Sequence, residues 1–331
     1  MTAISDSVTR HSRFITLLRR FYGRDRRGAI VLAYHSVGDP ARDHTGQAVS
    51  PRTFEAQLQA LQRRATIVPA ASLVRSVAAG ESLKGLAAVT FDDGYADTLQ
   101  VAWPIASRLG VPLTVFVTTQ PLLTGEPFWW DILAVMVFGA DAVGGRGRVA
   151  EVPFDGDRLP LRTDIDRRQT FDTLHRRLRN RPGRARADAM RRLASILATP
   201  GAPAGRPMTV AELRTLAAGP TVTIGAHSDT HPSLAALSPA AQLRELTESR
   251  RTLESLVQRP VDLVAYPFGK PENVSRETRD AARHAGYLAA FTTFPTTVNP
   301  SSDLMALPRL TAHEWSETEF VRRLDALTLS L

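Results

Sequence analysis

The chain has 331 residues, 43% of them hydrophobic and 22% charged, enough to bury a core of barrel size and too balanced for wholesale disorder. Its formal net charge is +8, but lysine occurs only at Lys84 and Lys270, and the arginines are spread along the chain with aspartates among them. No nucleic-acid-binding motif accompanies them, so no nucleic-acid partner is expected. Cysteine is absent, which excludes thiolate catalysis, cysteine-ligated zinc and disulfides, and no apolar run reaches the roughly 18–20 residues of a membrane span.

Residues 1–28 are read as a basic N-terminal helix, either packed on the domain or making peripheral contact with a membrane surface. Phe14-Ile15-Thr16-Leu17-Leu18 is too short for the apolar heart of a signal peptide and runs straight into Arg19 and Arg20. The expected location is therefore the cytoplasm or the cytoplasmic face of the membrane. From residue 29 strands and helices alternate. Ala29–Tyr34 is a strand that ends in the loop His35-Ser36-Val37-Gly38-Asp39-Pro40. Ser50-Pro51 caps a helix whose apolar stripe is Phe54, Leu58 and Leu61. A short strand at Thr66–Val68 and a helix at Ala70–Ala79 follow. The strand Ala87–Phe91 stops at Asp92-Asp93-Gly94. A helix over Asp97–Leu109 bends near Pro104 and closes at Gly110, and Pro112–Thr118 is a buried strand.

The rhythm breaks from about residue 120 to residue 206. This stretch holds Phe128-Trp129-Trp130-Asp131, a glycine-rich patch near 144–147, arginine-rich helices and a Pro/Gly/Ala linker at 200–207. It reads as an insertion within one domain over 29–331. The alternation resumes with a helix capped by Thr209 and a strand at Thr221–Gly225. Ser238-Pro239 opens a long helix to about Gln258, and Asp262–Tyr266 is a strand. A helix over Ser275–His284, ended by Gly286, leads to a strand at Tyr287–Thr293, an extended Leu307–Ala312 and a last helix capped by Ser316. About seven or eight strands with helices between them predict an α/β fold with a parallel sheet or barrel. No GxGxxG or P-loop pattern follows any strand, which argues against a nucleotide fold.

In such barrels the chemistry gathers at the C-terminal ends of the strands. His35, Asp92, Asp93, His227, Pro267 and the segment Arg309–His313 all fall there, so one mouth would collect them. Adjacent carboxylates raise one another's pKa, and a strand end that keeps two of them calls for a cation or for a reaction that uses one as a base. His227 and His231, four residues apart, can share one face of a turn as metal ligands must. Two histidines and one carboxylate leave a divalent metal open positions for water and substrate, and a second carboxylate can take the water's proton. A lone Asp-Asp-Gly is usually a turn and a lone HxxxH is often incidental; here both occur, each after its own strand.

Thr90-Phe91-Asp92-Asp93-Gly94-Tyr95 and His227-Ser228-Asp229-Thr230-His231-Pro232 resemble the first two motifs of the polysaccharide deacetylases, carbohydrate esterase family 4. Ala265-Tyr266-Pro267-Phe268-Gly269 resembles the third motif in the form seen in envelope and exopolysaccharide members. Tyr34-His35-Ser36-Val37 and Leu307-Pro308-Arg309 are similar to such members too. The resemblance implies a deformed (β/α) barrel that removes N-acetyl, sometimes O-acetyl, groups from sugars. It makes Asp92 the general base that acts on a metal-bound water, and Asp93, His227 and His231 the ligands of Zn2+ or of a similar ion such as Co2+, Mn2+ or Ni2+. It places substrate-binding groups at Tyr95 and at Pro267–Phe268, whose backbone would stabilise the oxyanion.

There are departures. Many members carry an arginine that pairs with the base, three residues before a tyrosine of the third motif; here those positions are Ala265 and Phe268. Arg309 is the cation offered in its place. The family's late histidine, which protonates the leaving amine, has His313 as its counterpart, in a poorly matching setting. His35 either lines the mouth or is a satisfied strand-end histidine. Phe128, Trp129 and Trp130 either stack on sugar rings or pack the insertion's core. An N-acetylated glycan or oligosaccharide is the expected substrate. The alternatives are an O-acetyl esterase, another amide deacylase, or a degenerate glycan-binding protein on the same scaffold.

Overall fold

Short apolar runs pair side by side in the main sheet of this chain, all in one direction. The structure, a computed structural model, describes residues 28–139, 149–197, 201–203 and 205–329. The basic helix expected over 1–28 lies, but for Gly28, outside the described residues, as does the glycine-rich patch at 144–147. The strands of the main sheet are β1 (Ile30–Tyr34), β2 (Thr66–Ile67), β3 (Leu86–Phe91), β4 (Leu113–Val117), β5 (Val222–Ala226), β6 (Leu263–Ala265), β7 (Ala289–Phe291) and β8 (Leu310–Thr311). Their spatial order is β7-β6-β5-β4-β3-β1-β8, with β2 beside the start of β3, and every pair is parallel. Leu307 pairs with Phe291 of β7, and three residues later Leu310 and Thr311 pair with Leu32 and Ala33 of β1. One stretch of chain thus links both edges of the curled sheet, and the fold is the deformed (β/α) barrel that the alternation and the motifs imply.

Strand side chains alternate between two cores, as the period of two requires. Val31, Ala88, Phe116, Ala265 and Phe291 share one apolar cluster with Leu73, Val74 and Val77 of helix α2 (Ala70–Ala78). Leu32, Val89, Val115, Ile224 and Val264 share the other with the covering helices, among them α1 (Pro51–Gln62). Helix α1 starts where expected, with the Ser50 side chain accepting from the Thr53 N–H and Pro51 in the first turn. The helix expected over 97–109 differs. A π-turn over Thr98–Ala102 precedes a short α3 (Trp103–Arg108), so the irregularity lies just ahead of Pro104, whose missing N–H cannot continue the ladder.

Strands β4 and β5 are direct neighbours, yet the chain between them makes a long excursion. It holds α4 (Thr119–Thr124), α5 (Trp129–Phe138), α6 (Asp164–Arg179) and α7 (Gly183–Ile196). Leu133, Val137, Phe171, Leu174, Met190 and Leu193 give it an apolar cluster of its own. It also contains an antiparallel hairpin, Glu151–Phe154 with Asp157–Pro160, that the sequence reading did not anticipate. The signal was present: Asp155 and Gly156 both take positive φ, the two-residue turn that Asp-Gly favours. Among the described residues no helix is long and apolar enough to cross a membrane.

Close approach inside the barrel sets one requirement that a substitution can test. Gly225 faces Phe116 across the β4–β5 pair, and a Cβ there would lie 2.5 Å from the Phe116 ring and 3.0 Å from the Leu263 carbonyl oxygen. The backbone carbonyl cannot yield as a side chain would. Gly225→Ala is expected to destabilise the protein by about 2–3 kcal/mol, read as a lower urea midpoint at unchanged slope.

Candidate metal centre and active site

The mouth of the barrel is built by backbone before any side chain reacts. Asp92 and Asp93 leave β3 in a tight turn in which Asp93 has φ 71 and Gly94 φ 90. The Asp92 N–H donates to the Tyr34 carbonyl and the Thr118 N–H to the Asp93 carbonyl, which ties the turn to both neighbouring strands. A Cβ on Gly94 would come within 2.9 Å of Val117, so turn geometry and space both demand glycine there. His227 follows β5 and donates its N–H to the Val117 carbonyl. Ser228 and His231 both occupy the left-handed region, at φ 62 and φ 57. The Ser228 hydroxyl accepts the His231 N–H at 3.0 Å, and Glu245 accepts the backbone N–H groups of Asp229 and Thr230.

These turns bring three ligand atoms together. Asp93 Oδ1 lies 3.5 Å from His227 Nε2 and 3.3 Å from His231 Nε2, and the two nitrogens are 3.2 Å apart. Bonds of roughly 2.05 Å arranged tetrahedrally would set such atoms about 3.3 Å apart. The donor chemistry agrees. His227 Nδ1–H donates to the Ala265 carbonyl at 2.8 Å, which leaves a lone pair on Nε2. Asp93 Oδ1 is buried with no hydrogen-bond partner. Burial lowers the pKa of His227, and burial together with Arg186 pushes His231 down to about 3, so both rings stay neutral. Burial raises Asp93, and a cation beside it would favour its carboxylate form. The residues fit a divalent metal ion.

Asp92 is treated differently. Arg309 reaches it from the far end of the chain, with Nη1 2.7 Å from Oδ1 and Nη2 2.7 Å from Oδ2. The same guanidinium donates to Thr90 Oγ1 and to the Thr292 carbonyl, and it is wholly buried over the rings of Phe116 and Phe291. Burial opposes ionisation of Asp92, but the Arg309 charge overrides it and holds the carboxyl well below the usual range. Asp92 Oδ2 lies 3.9 Å from His227 Nε2, beside the ligand set.

The remaining expected residues sort unevenly. His35 is coupled to the cluster: burial lowers its pKa and the charges of Asp93 and Asp92 work against that, while its buried Nδ1 has no partner. Pro267 is buried, and Phe268, at φ 64, holds its ring 4.9 Å from that of His231. Tyr95 and Trp130 use their polar ends inside the protein. The Tyr95 hydroxyl donates to Asp131 and accepts from Trp130 Nε1, each at 2.8 Å, and both side chains are buried. Trp130 lies 4.4 Å from the His231 ring and stacks on Phe128, so it packs the ligand and has no free face for a sugar. Trp129 is half-buried among Trp130, His175 and Arg186. His313 is not brought to the cluster: its Nδ1–H donates to the Gly46 carbonyl and its ring rests on Trp315. The sequence reading passed over His175 and Asp131. His175 stands between Trp129 and Phe268, and burial pushes it down to about 3. Asp131 lines, with His35, Tyr95 and Asp97, a cavity of about 240 Å³ beside the cluster, and burial pushes it up to about 8.

Comparison with known proteins agrees with this geometry. A family model described as polysaccharide deacetylase matches residues 199–290, a span that includes His227 and His231. The protein YxkH of Bacillus subtilis (strain 168), whose name assigns it provisionally to the same family, is 27% identical over 89 residues. That match covers 27% of this chain, and the chain spans only about a third (31%) of YxkH. Among solved structures, IcaB from Ammonifex degensii superposes with a TM-score of 0.57 at 17% identity, covering 91% of this chain and 97% of that one. The Streptococcus pyogenes deacetylase PplD, solved with acetate, gives 0.54 at 16% identity over 89% and 97%. A polysaccharide deacetylase from Bacillus cereus, BC0361, gives 0.54 at 17% over 91% and 69%. The resemblance read from the motifs thus holds in a matched segment and in the fold.

The Arg309–Asp92 pair carries a prediction whose sign depends on pH. In the native protein the Asp92 pKa is depressed, so the pair's stabilisation is complete at neutral pH and is lost only in strong acid. Arg309→Met leaves a buried carboxylate alone and should cost about 3–5 kcal/mol at pH 7. The unpaired carboxyl then has a raised pKa, so the variant should recover stability relative to the native protein as pH falls toward 4. Urea unfolding of both proteins at pH 4, 5.5 and 7 measures this, and Asp92→Asn added to Arg309→Met should remove the pH dependence that Arg309→Met introduces.

Proposed function

We propose that this chain, which has the fold of the polysaccharide deacetylases and their two-histidine motif, is a metal-dependent hydrolase that removes N-acetyl groups from an amino-sugar polysaccharide or oligosaccharide. The observation that carries this reading is the convergence of Asp93, His227 and His231 next to an Asp92 whose charge Arg309 fixes. Zinc, or another divalent ion that accepts two imidazoles and a carboxylate, would supply a Lewis acid for the acyl carbonyl and the attacking water.

The chain's own groups divide the remaining work. Asp92 is the general base: it stands beside the ligand set, is kept ionised, and is aimed by two hydrogen bonds to one guanidinium. Arg309 thereby secures charge state and orientation while lowering basicity. The Phe268 N–H, presented on a left-handed turn just past β6, offers a donor to the developing oxyanion. Tyr95 serves the site through its buried bonds to Asp131 and Trp130, which back the His231 ring. His35, which lines the cavity beside the cluster, is better placed to pass a proton to the leaving amine than His313, whose Nδ1–H is spent on the Gly46 carbonyl. The degenerate-binder alternative drew on Ala265 standing where other members carry arginine, and the Arg309 contacts remove that support.

Asp92→Asn is expected to lower acetate release from N-acetylglucosamine oligomers by about 10³-fold or more while about one equivalent of metal stays bound. His227→Ala should lose the metal, measured by elemental analysis after dialysis. Undiminished turnover after chelation and dialysis would sink the metal mechanism. His35→Ala should reduce kcat about 10²-fold and His313→Ala should change it less than about twofold; the reverse order would return the proton to His313.

A further inference from the structure

The insertion sends two arginines toward the metal loop, and they are used differently. Arg186 of α7 is buried and donates to the carbonyls of Thr230 and His231, so its hydrogen bonds are spent on the loop. Arg179, the last residue of α6, is not engaged in this way. Its guanidinium lies over the Phe268 ring, 5.1 Å from the centroid, and its Nε is buried with no hydrogen-bond partner. Among the described residues no carboxylate forms an ion pair with it; Glu272 acts on it only through its longer-range charge. An unpaired polar group of this kind needs an explanation.

Its position offers one. The Phe268 ring is 4.9 Å from the ring of the ligand His231, which sets the Arg179 guanidinium within about 10 Å of that ligand. Lys270, exposed two residues past Phe268, adds a second cation, and His175 feels the charge of both. A substrate with an oxyanion would be drawn toward this pair of cations, which fixes its direction across the cluster.

We infer that Arg179, assisted by Lys270, anchors an oxyanion borne by the substrate, a phosphate or a carboxylate within a sugar ring's width of the acylated nitrogen. This rests on the deacetylase reading and narrows its substrate class to anionic amino sugars. Arg179 acts by binding and positioning and takes no part in bond breaking.

The test measures binding and turnover separately. Zinc-loaded Asp92→Asn protein is titrated calorimetrically with N-acetylglucosamine 1-phosphate, with N-acetylmuramic acid and with the neutral methyl glycoside of N-acetylglucosamine. One of the two anionic ligands should bind about tenfold or more tighter than the neutral one, and the better arm identifies phosphate or carboxylate. Its affinity should fall with added salt, a readout that needs no further variant. Arg179→Gln, added to that protein, should remove the preference and leave the neutral glycoside unchanged, and Arg179→Lys should keep part of it. Equal binding of all three ligands, or proportional loss of all three in Arg179→Gln, overturns the inference. Preference retained without acetate release from any N-acetylated sugar by the native enzyme would overturn the deacetylase reading alone, while release with no preference would overturn this inference alone.

Discussion

Two adjacent carboxylates, each 2% exposed, cannot both be ionised in a dry barrel mouth unless each has its own positive charge. Asp92 and Asp93 meet that constraint in different ways. Asp92 has a permanent partner in Arg309, with both oxygens engaged. Asp93 has no cationic side chain of its own; its Oδ1 faces two neutral imidazole nitrogens. The difference supports the proposed division of roles. A carboxylate with a built-in cation stays ionised and suits a base, and one without suits a cation that arrives from solution. The histidines agree, because burial that keeps them neutral also keeps their lone pairs available.

Closure of the barrel and pairing of Asp92 are the same structural event. Arg309 sits between Leu307, which pairs with β7, and Leu310, which pairs with β1. It cannot reach Asp92 until the last strand has joined both edges. Its guanidinium then lies over Phe116 and Phe291, in the core that Ala88 and Ala265 leave open by being small. Thr90 and Asp92 follow Ala88 at the strand period of two, which is why one face of β3 can supply two acceptors to a single arginine.

What could be read from the sequence follows the distance over which each feature is encoded. The Asp-Asp-Gly turn and the two histidines are local motifs at strand ends, and local chemistry fixes their geometry. A parallel sheet or barrel was implied by the alternation of elements, though Pro112–Thr118, Asp262–Tyr266 and Tyr287–Thr293 are each shorter at both ends. Arg309 could be named as the missing cation, but only its passage through the barrel interior gives it Asp92, more than 200 residues away. For Tyr95 and Trp130 the sequence could not separate substrate contact from packing, because an aromatic beside a catalytic motif suits both. Their polar ends are used by each other and by Asp131, which only the fold brings near. His175 lay in an arginine-rich helix whose pattern is that of a solvated face, and nothing in that pattern marks the side turned to Phe268.

The insertion therefore does more than roof the barrel. Ser228 and His231 both sit in left-handed backbone, a conformation that non-glycine residues hold only when their surroundings enforce it. Two groups hold it. Glu245, on the long helix Pro239–Val257, takes the N–H groups of Asp229 and Thr230, and Arg186, from the insertion, takes the carbonyls of Thr230 and His231. Burial lowers the Arg186 pKa to about 10 and Glu245 opposes the shift, so it remains a cation at neutral pH. A loop clamped at both its donors and its acceptors holds His231 in one orientation. For the proposed metal site that would lower the reorganisation needed on binding, and it would make the insertion part of the site, because without α7 the carbonyl half of the clamp is missing.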